Sequence, residues 1–143
     1  MDEILSILYN YLTADEQLMD MLALNLPFFN PKGAEAKENS IIPVPHAKNT
    51  TKTPFITVQQ GVLTMGKVQQ QEALYIRAYN DKLKTYIEIN KICEMLRVLL
   101  HDIELPMTQH TNIRVRFDSA LAVSQDEALD FNYRELHFTV FML

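Results

Sequence analysis

Apolar and polar positions change period along this chain, and each change marks an element. Ile4, Leu5, Ile7, Leu8 and Leu12 recur near helical spacing, which predicts an amphipathic helix over residues 2–12. Thr13 then suits an N-cap, with Glu16 completing a capping box, and a second short helix runs to about Ala23. From Pro54 the pattern becomes β. Phe55–Gln60 is rich in β-branched residues, Gly61–Gly66 reads as a hairpin turn, and Ala73–Tyr79 alternates Leu74, Ile76 and Ala78 with Tyr75, Arg77 and Tyr79. Asn80 or Asp81 caps a long helix reaching His101. Along it Leu83, Ile87, Ile92, Met95, Leu96, Leu99 and Leu100 form an apolar stripe able to cover a sheet face.

Beyond Pro106 two alternating segments, Ile113–Val123 and Leu129–Met142, flank the polar turn Ser124–Ala128, the pattern of a long carboxy-terminal β-hairpin. In the first, Ile113, Val115, Phe117, Leu121 and Val123 share one face; Arg114, Arg116 and Asp118 share the other. In the second, the apolar phase is odd at Leu129, Phe131 and Tyr133 and even at Leu136, Phe138, Val140 and Met142. A shift of one residue turns side chains to the opposite face of a sheet. Either a bulge lies near Arg134–Glu135, or the distal half of the hairpin packs against something different, such as a neighbouring subunit. The order α-α-loop-β-β-α-β-β predicts a single α+β domain over residues 1–143: a mainly antiparallel four-stranded sheet with the long helix on one face.

The stretch 27–53 has no such period. It holds four of the six prolines, Pro27, Pro31, Pro43 and Pro45, and ends in a polar tail at residues 49–53. Ile41–Pro45 suits a short edge strand, because its prolines forbid a central one. A connection of this length is either a surface loop or a segment that orders on assembly.

At 143 residues, 48% hydrophobic and 22% charged, the chain has the composition of one globular domain. No apolar run approaches the roughly 20 residues that span a bilayer. The start Met1-Asp2-Glu3 is acidic where a secretory signal is basic, so the chain is expected to be cytoplasmic at birth. A single cysteine, Cys93, fits a reducing compartment and reads as a small buried hydrophobe. The net charge of −5 is uneven: residues 1–31 carry five acids and no Lys or Arg, whereas residues 32–53 carry four lysines against two glutamates. An acidic body argues against binding nucleic acid by phosphate neutralisation.

Candidate chemistry is sparse. Gly33, Gly61 and Gly66 are too scattered to cradle a phosphate. His46, His101, His110 and His137 show no metal-ligand spacing with one another or with Cys93, and His101 suits a helix C-terminus. Asp126 and Glu127 are adjacent at the expected hairpin tip, where neighbouring acids point apart into solvent and make a poor pair for acid–base work. Tyr75, Arg77, Tyr79, Arg114 and Arg116 could make a basic–aromatic face of the kind that stacks single-stranded nucleic acid. The same arginines serve as cross-strand partners for Glu72, Asp118 and Glu135, and the acidic total favours that reading. No enzyme, metal or cofactor is expected.

Several stretches together resemble a known family. They are the opening helix Asp2–Leu12, "TPFITVQQG" at Thr53–Gly61, "EALYIRAYND" running into "KLKTYIEINKICEMLRVLLHDI" at Glu72–Ile103, and "IRVRFDSALAVSQDEALDFNYRELHFTVFML" at Ile113–Leu143. In element order and hydrophobicity the chain resembles the tail-completion and tail-terminator proteins of long-tailed bacteriophages and prophages. The resemblance implies a virion protein, assembled in the host cytoplasm, that forms a ring with itself, typically a hexamer, at the head-proximal end of the tail tube. It would stop the major tail tube protein from polymerising further and present a surface to a head connector or head-completion protein. DNA would pass through the ring without specific binding. The family has no catalytic residues to carry over. The expected assembly surface combines the loop lysines Lys48 and Lys52 with hairpin residues Arg114, Arg116, Asp126, Glu127, Arg134 and Glu135. Two other readings compete: a different head–tail connector component, and a nucleic-acid-binding module.

Overall fold

The computed structural model describes residues 3–22, 41–43, 54–65, 70–81, 86–107, 112–128 and 130–143. Two helices open the chain, α1 (Glu3–Thr13) and α2 (Glu16–Leu22). The junction differs from the expected capping box. Thr13 is the last residue of α1, its hydroxyl donating to the Tyr9 carbonyl at 2.7 Å, and Asp15 caps α2 by accepting from the Leu18 amide at 2.8 Å. A helical threonine bonds back to the preceding turn, which leaves the cap to the next acceptor available.

Among the described residues the sheet holds seven strands: β1 (Ile41–Pro43), β2 (Phe55–Met65), β3 (Gln70–Asp81), β4 (Ile103–Leu105), β5 (Ile113–Ala120), β6 (Ser124–Asp126) and β7 (Phe131–Met142). The four long strands are those expected from periodicity. β1 falls within the short edge strand expected over Ile41–Pro45; the additions, β4 and β6, are three residues each, too short to carry a readable alternation. Spatial order is β1-β2-β3-β7-β5-β4, with β6 also on β7, and every pairing is antiparallel except β1 with β2. β1 is thus the edge strand that its proline demands.

Helix α3 (Tyr86–Leu100) crosses the sheet. Asn80 and Asp81 belong to β3 and do not cap it; Asn80 instead donates to Glu88 at 2.7 Å. Expected stripe residue Leu83 lies outside the described residues. The buried stripe of α3 is Ile89, Ile92, Cys93, Leu96 and Leu100, with Met95 and Leu99 at its margin; Ile87, expected inside, is 60% exposed. The stripe therefore excludes Ile87, two residues before Ile89 and on nearly the opposite side of the helix. It covers Ile56 and Val58 of β2, Leu74 and Ile76 of β3, Leu136, Phe138 and Val140 of β7, and Ile113 and Val115 of β5. Ile4, Leu8 and Leu12 of α1 and Leu18, Met19 and Leu22 of α2 complete this core.

The phase change in the last strand has a simple cause. β7 pairs with β3 in unbroken register from Phe131↔Asp81 to Phe141↔Gln71, so no bulge lies at Arg134–Glu135. Its even residues face the helices, while Phe131 and Tyr133 join Phe55 and Tyr79 in a second apolar cluster on the opposite face. The register shift of the hairpin falls in β5, between Phe117 and Ser119. After it, Ala120 turns toward the helix side opposite Leu136, and Leu121 is exposed instead of sharing the face of Phe117. Gly61 is also not at a turn. It lies within β2, beside a second shift between Gln60 and Leu63.

Candidate assembly surface

Alternation on three neighbouring strands brings the odd residues of β3 and β7 together on the sheet face away from the helices. At one end is the aromatic cluster. The Phe55 and Tyr79 rings stack at 4.8 Å, Phe131 meets Phe55 edge-on at 5.6 Å, and Tyr133 tilts against Tyr79 at 5.5 Å. Offset and edge-on arrangements are those that ring quadrupoles favour.

Beside this cluster Arg77 is the centre of a polar network. Its Nε donates to Glu135 Oε1 at 2.8 Å, its Nη1 donates to the Tyr79 hydroxyl at 3.2 Å, and its guanidinium lies 4.4 Å over the Tyr133 ring. Asp126 is 3.8 Å from Arg77 and accepts from the Tyr79 hydroxyl at 3.2 Å. Glu135 also contacts His137 Nε2 at 2.8 Å, and the His137 ring meets Tyr75 edge-on. Burial works against the Arg77 charge, but hydrogen bonds with Tyr79 and Glu135 overcome it and raise the pKa. Burial likewise pushes the Glu135 carboxyl up, yet the bonds from His137 and Arg77 prevail and hold it below the usual carboxylate range. Tyr79 is raised, first by burial.

At the far end of the same face Arg114 and Arg116 are both exposed. Arg116 spans Asp118 at 3.3 Å and lies 4.9 Å over the Phe141 ring; Arg114 is 3.8 Å from Asp102. With Leu143 these groups line a shallow cavity of about 270 Å³.

The residues expected at an assembly surface therefore separate. Arg114 and Arg116 are together, on the sheet face they share with Glu135 and Asp126. Asp126 is not a solvent-facing tip residue as expected, because β6 pairs with β7 and draws it against Tyr79; Glu127 alone is exposed. Arg134, one residue from Glu135, lies on the helix side. It donates to the Leu121 carbonyl at 2.8 Å and to Asn90 of α3 at 3.1 Å. Lys48 and Lys52 lie outside the described residues, as do His46 and His110. Glu135 has a cross-strand arginine partner as expected, Arg77, whereas Asp118, also expected to pair across strands, meets Arg116 two residues away on the same strand. The parts of Tyr133, His137 and Phe141 went unread, though the odd phase of Phe131 and Tyr133 carried the signal.

Cys93 is buried on α3, and burial pushes its thiol up to about 11. His101 follows α3, and its Nδ1 accepts from the Phe117 amide at 3.4 Å. Among the described residues no three His, Cys, Asp or Glu side chains gather where they could hold a metal ion, and no helix is long and apolar enough to cross a membrane.

Fold and surface define an α+β protein with a helical layer on one face of a largely antiparallel sheet and an aromatic–charged network on the other. No protein-family model matches the chain, and no curated protein matches it. Among solved structures it is similar to a chain from the virion of a native gene transfer agent particle, with TM-score 0.65 at 13% identity, covering 96% of this chain and 92% of that one. A second solved chain superposes with TM-score 0.53 at 8% identity, covering 90% of this chain and 96% of the other. At these identities the likeness is one of fold.

Proposed function

We propose that this chain is a structural protein of a phage-like virion. In this reading it forms a ring with itself, typically a hexamer, at the head-proximal end of the tail tube. There it ends polymerisation of the major tail tube protein and joins a head connector or head-completion protein. The observation that carries the reading is the shared fold, end to end, with a chain of a gene transfer agent virion. The sequence resemblance to tail-terminator proteins narrows it to the tail.

The surface chemistry suits the role. Among the described residues strands β1 and β4 are the two edges of the sheet, and a strand edge can take a partner strand. Arg114 and Arg116, exposed beside β4, provide charge for pairing with a neighbour's acids, while the acidic total keeps DNA from sticking in a lumen. The role is structural, with no catalysis and no cofactor. Electron microscopy of particles made without this protein is expected to show overlong or headless tails, and normal tails joined to heads would sink the reading. Replacing Arg114 and Arg116 by Glu is expected to leave the fold intact and abolish rings. A different connector component is the second reading, and particles with normal tail length but unjoined heads would favour it.

A further inference from the structure

The helical layer carries a surface feature of its own. Between α2 and α3 runs a groove of about 710 Å³ whose floor is apolar: Met21, Met95, Val98 and Leu99. Val98 is 64% exposed, the most exposed large hydrophobic residue among those described. The Leu99 carbonyl accepts from the Tyr11 hydroxyl at 2.8 Å, which ties α1 behind α3 and fixes the groove's back wall. Both walls are helices built into the main core through Leu18, Met19, Ile92 and Leu96, so the groove is preformed.

Its charge is one-sided. Every charged residue from Glu3 to Leu22 is acidic: Glu3, Asp15, Glu16 and Asp20. Asp15 and Asp20 stand on the α2 rim. The α3 rim carries Lys91 and Glu94, and Arg97 is turned onto Glu94, so that wall is left with the positive charge of Lys91. An apolar floor beside an acidic wall matches an amphipathic helix with apolar residues at i, i+4 and i+7 and Lys or Arg along one flank. A small apolar ligand fits less well. Nothing polar converges on the floor to orient one, and such a ligand would leave the acidic wall without a counterpart.

We infer that the α2–α3 groove is a docking site for a basic amphipathic helix of a partner protein. The inference rests on the groove and its charge alone and stands whether or not the chain forms a ring.

The test uses the whole chain with ¹³C-methyl methionine and a helical peptide of about 18 residues, carrying Leu at i, i+4, i+7 and i+11 and Lys on one flank. Binding is expected to shift the Met21 and Met95 methyl resonances and to leave buried Met19 in place. Val98→Asp is expected to weaken binding about tenfold, and Asp20→Lys severalfold, with the loss growing at low salt. Ile87→Asp, on the same helix outside the groove, is expected to change nothing. A peptide with the same apolar face and Glu on its flank is expected to bind about tenfold less well than the Lys peptide. Three results overturn the inference. One is no Met21 or Met95 shift at about 1 mM peptide, a concentration that reports even weak association. Another is equal binding by the two peptides, which marks a generic apolar patch. The third is self-association without peptide that Val98→Asp abolishes, which makes a second copy the occupant.

Discussion

Arg77 and Glu135 face each other across the β3–β7 ladder, Nε to Oε1 at 2.8 Å, on the sheet face away from the helices. The pair is largely shielded, with 33% and 15% of the two side chains exposed. Removing one partner therefore strands the other in a partly dry site, where the effect exceeds that of a surface salt bridge.

Glu135→Gln is expected to lower stability at neutral pH by about 1–2 kcal/mol. The Glu135 pKa is held below its unfolded value by His137 and Arg77, in spite of burial. A depressed carboxyl pKa stabilises the fold above the unfolded pKa, about 4.3, and that contribution disappears as pH falls through the folded value. The difference between wild type and Glu135→Gln in urea unfolding should therefore shrink below about pH 4. A difference that stays constant from pH 7 to that range would remove Glu135 ionisation from the account.

At Gly61 the absence of a side chain is steric. A Cβ there would lie 2.7 Å from the Tyr75 ring and 2.8 Å from the Ala73 Cβ. Gly61→Ala is expected to destabilise by about 1–3 kcal/mol, because the strand itself must shift. Thermal unfolding reads this directly, and an unchanged midpoint would place Gly61 away from Tyr75.

Asp102 follows α3 with φ of 55°, in the left-handed region, and its ion pair with Arg114 at 3.8 Å is exposed. Such a pair contributes little, so backbone conformation decides the effect of substitution. The expected order of stability is Asp102→Gly at or slightly above wild type, then Asp102→Val below it by about 1 kcal/mol. If the valine variant matched wild type, the turn would not hold this conformation in solution.

Burial raises the Cys93 thiol to about 11. At pH 8 on the order of 0.1% is thiolate, and what there is lies under α3. A thiol-reactive dye is expected to label the native chain only at the rate of unfolding, and immediately in denaturant. Rapid labelling of the native protein would contradict the packing of α3.

Much of the fold is local and was readable. The helical spacing of Ile4, Leu8 and Leu12 and the alternation of Leu74, Ile76 and Ala78 each name a buried face without knowledge of what covers it. The resulting class, helices on a mainly antiparallel sheet, is what the structure shows. Short strands, caps and turns were less legible. β4 and β6 exist because β5 and β7 offer them a ladder, and Asp15 became the cap because Thr13 was spent on Tyr9.

For the candidate surface, the sequence placed Arg114 and Arg116 together and offered Glu135 as a cross-strand partner for the strand arginines; only the structure assigned it to Arg77. The sequence also grouped Arg134 with Glu135, although adjacent strand residues face opposite ways, and the structure sends Arg134 to Asn90 on the helix side.

By itself, then, the sequence determined which residues share a face, since that follows from the periods of helix and strand. Only the tertiary structure decided what each face meets. The change of phase along β7 was written in the chain, but its meaning required β3 alongside in continuous register, with the bulge displaced into β5. Strand pairing joins segments far apart in sequence, and no local period encodes its register. One strand can therefore serve two cores on opposite faces of one sheet.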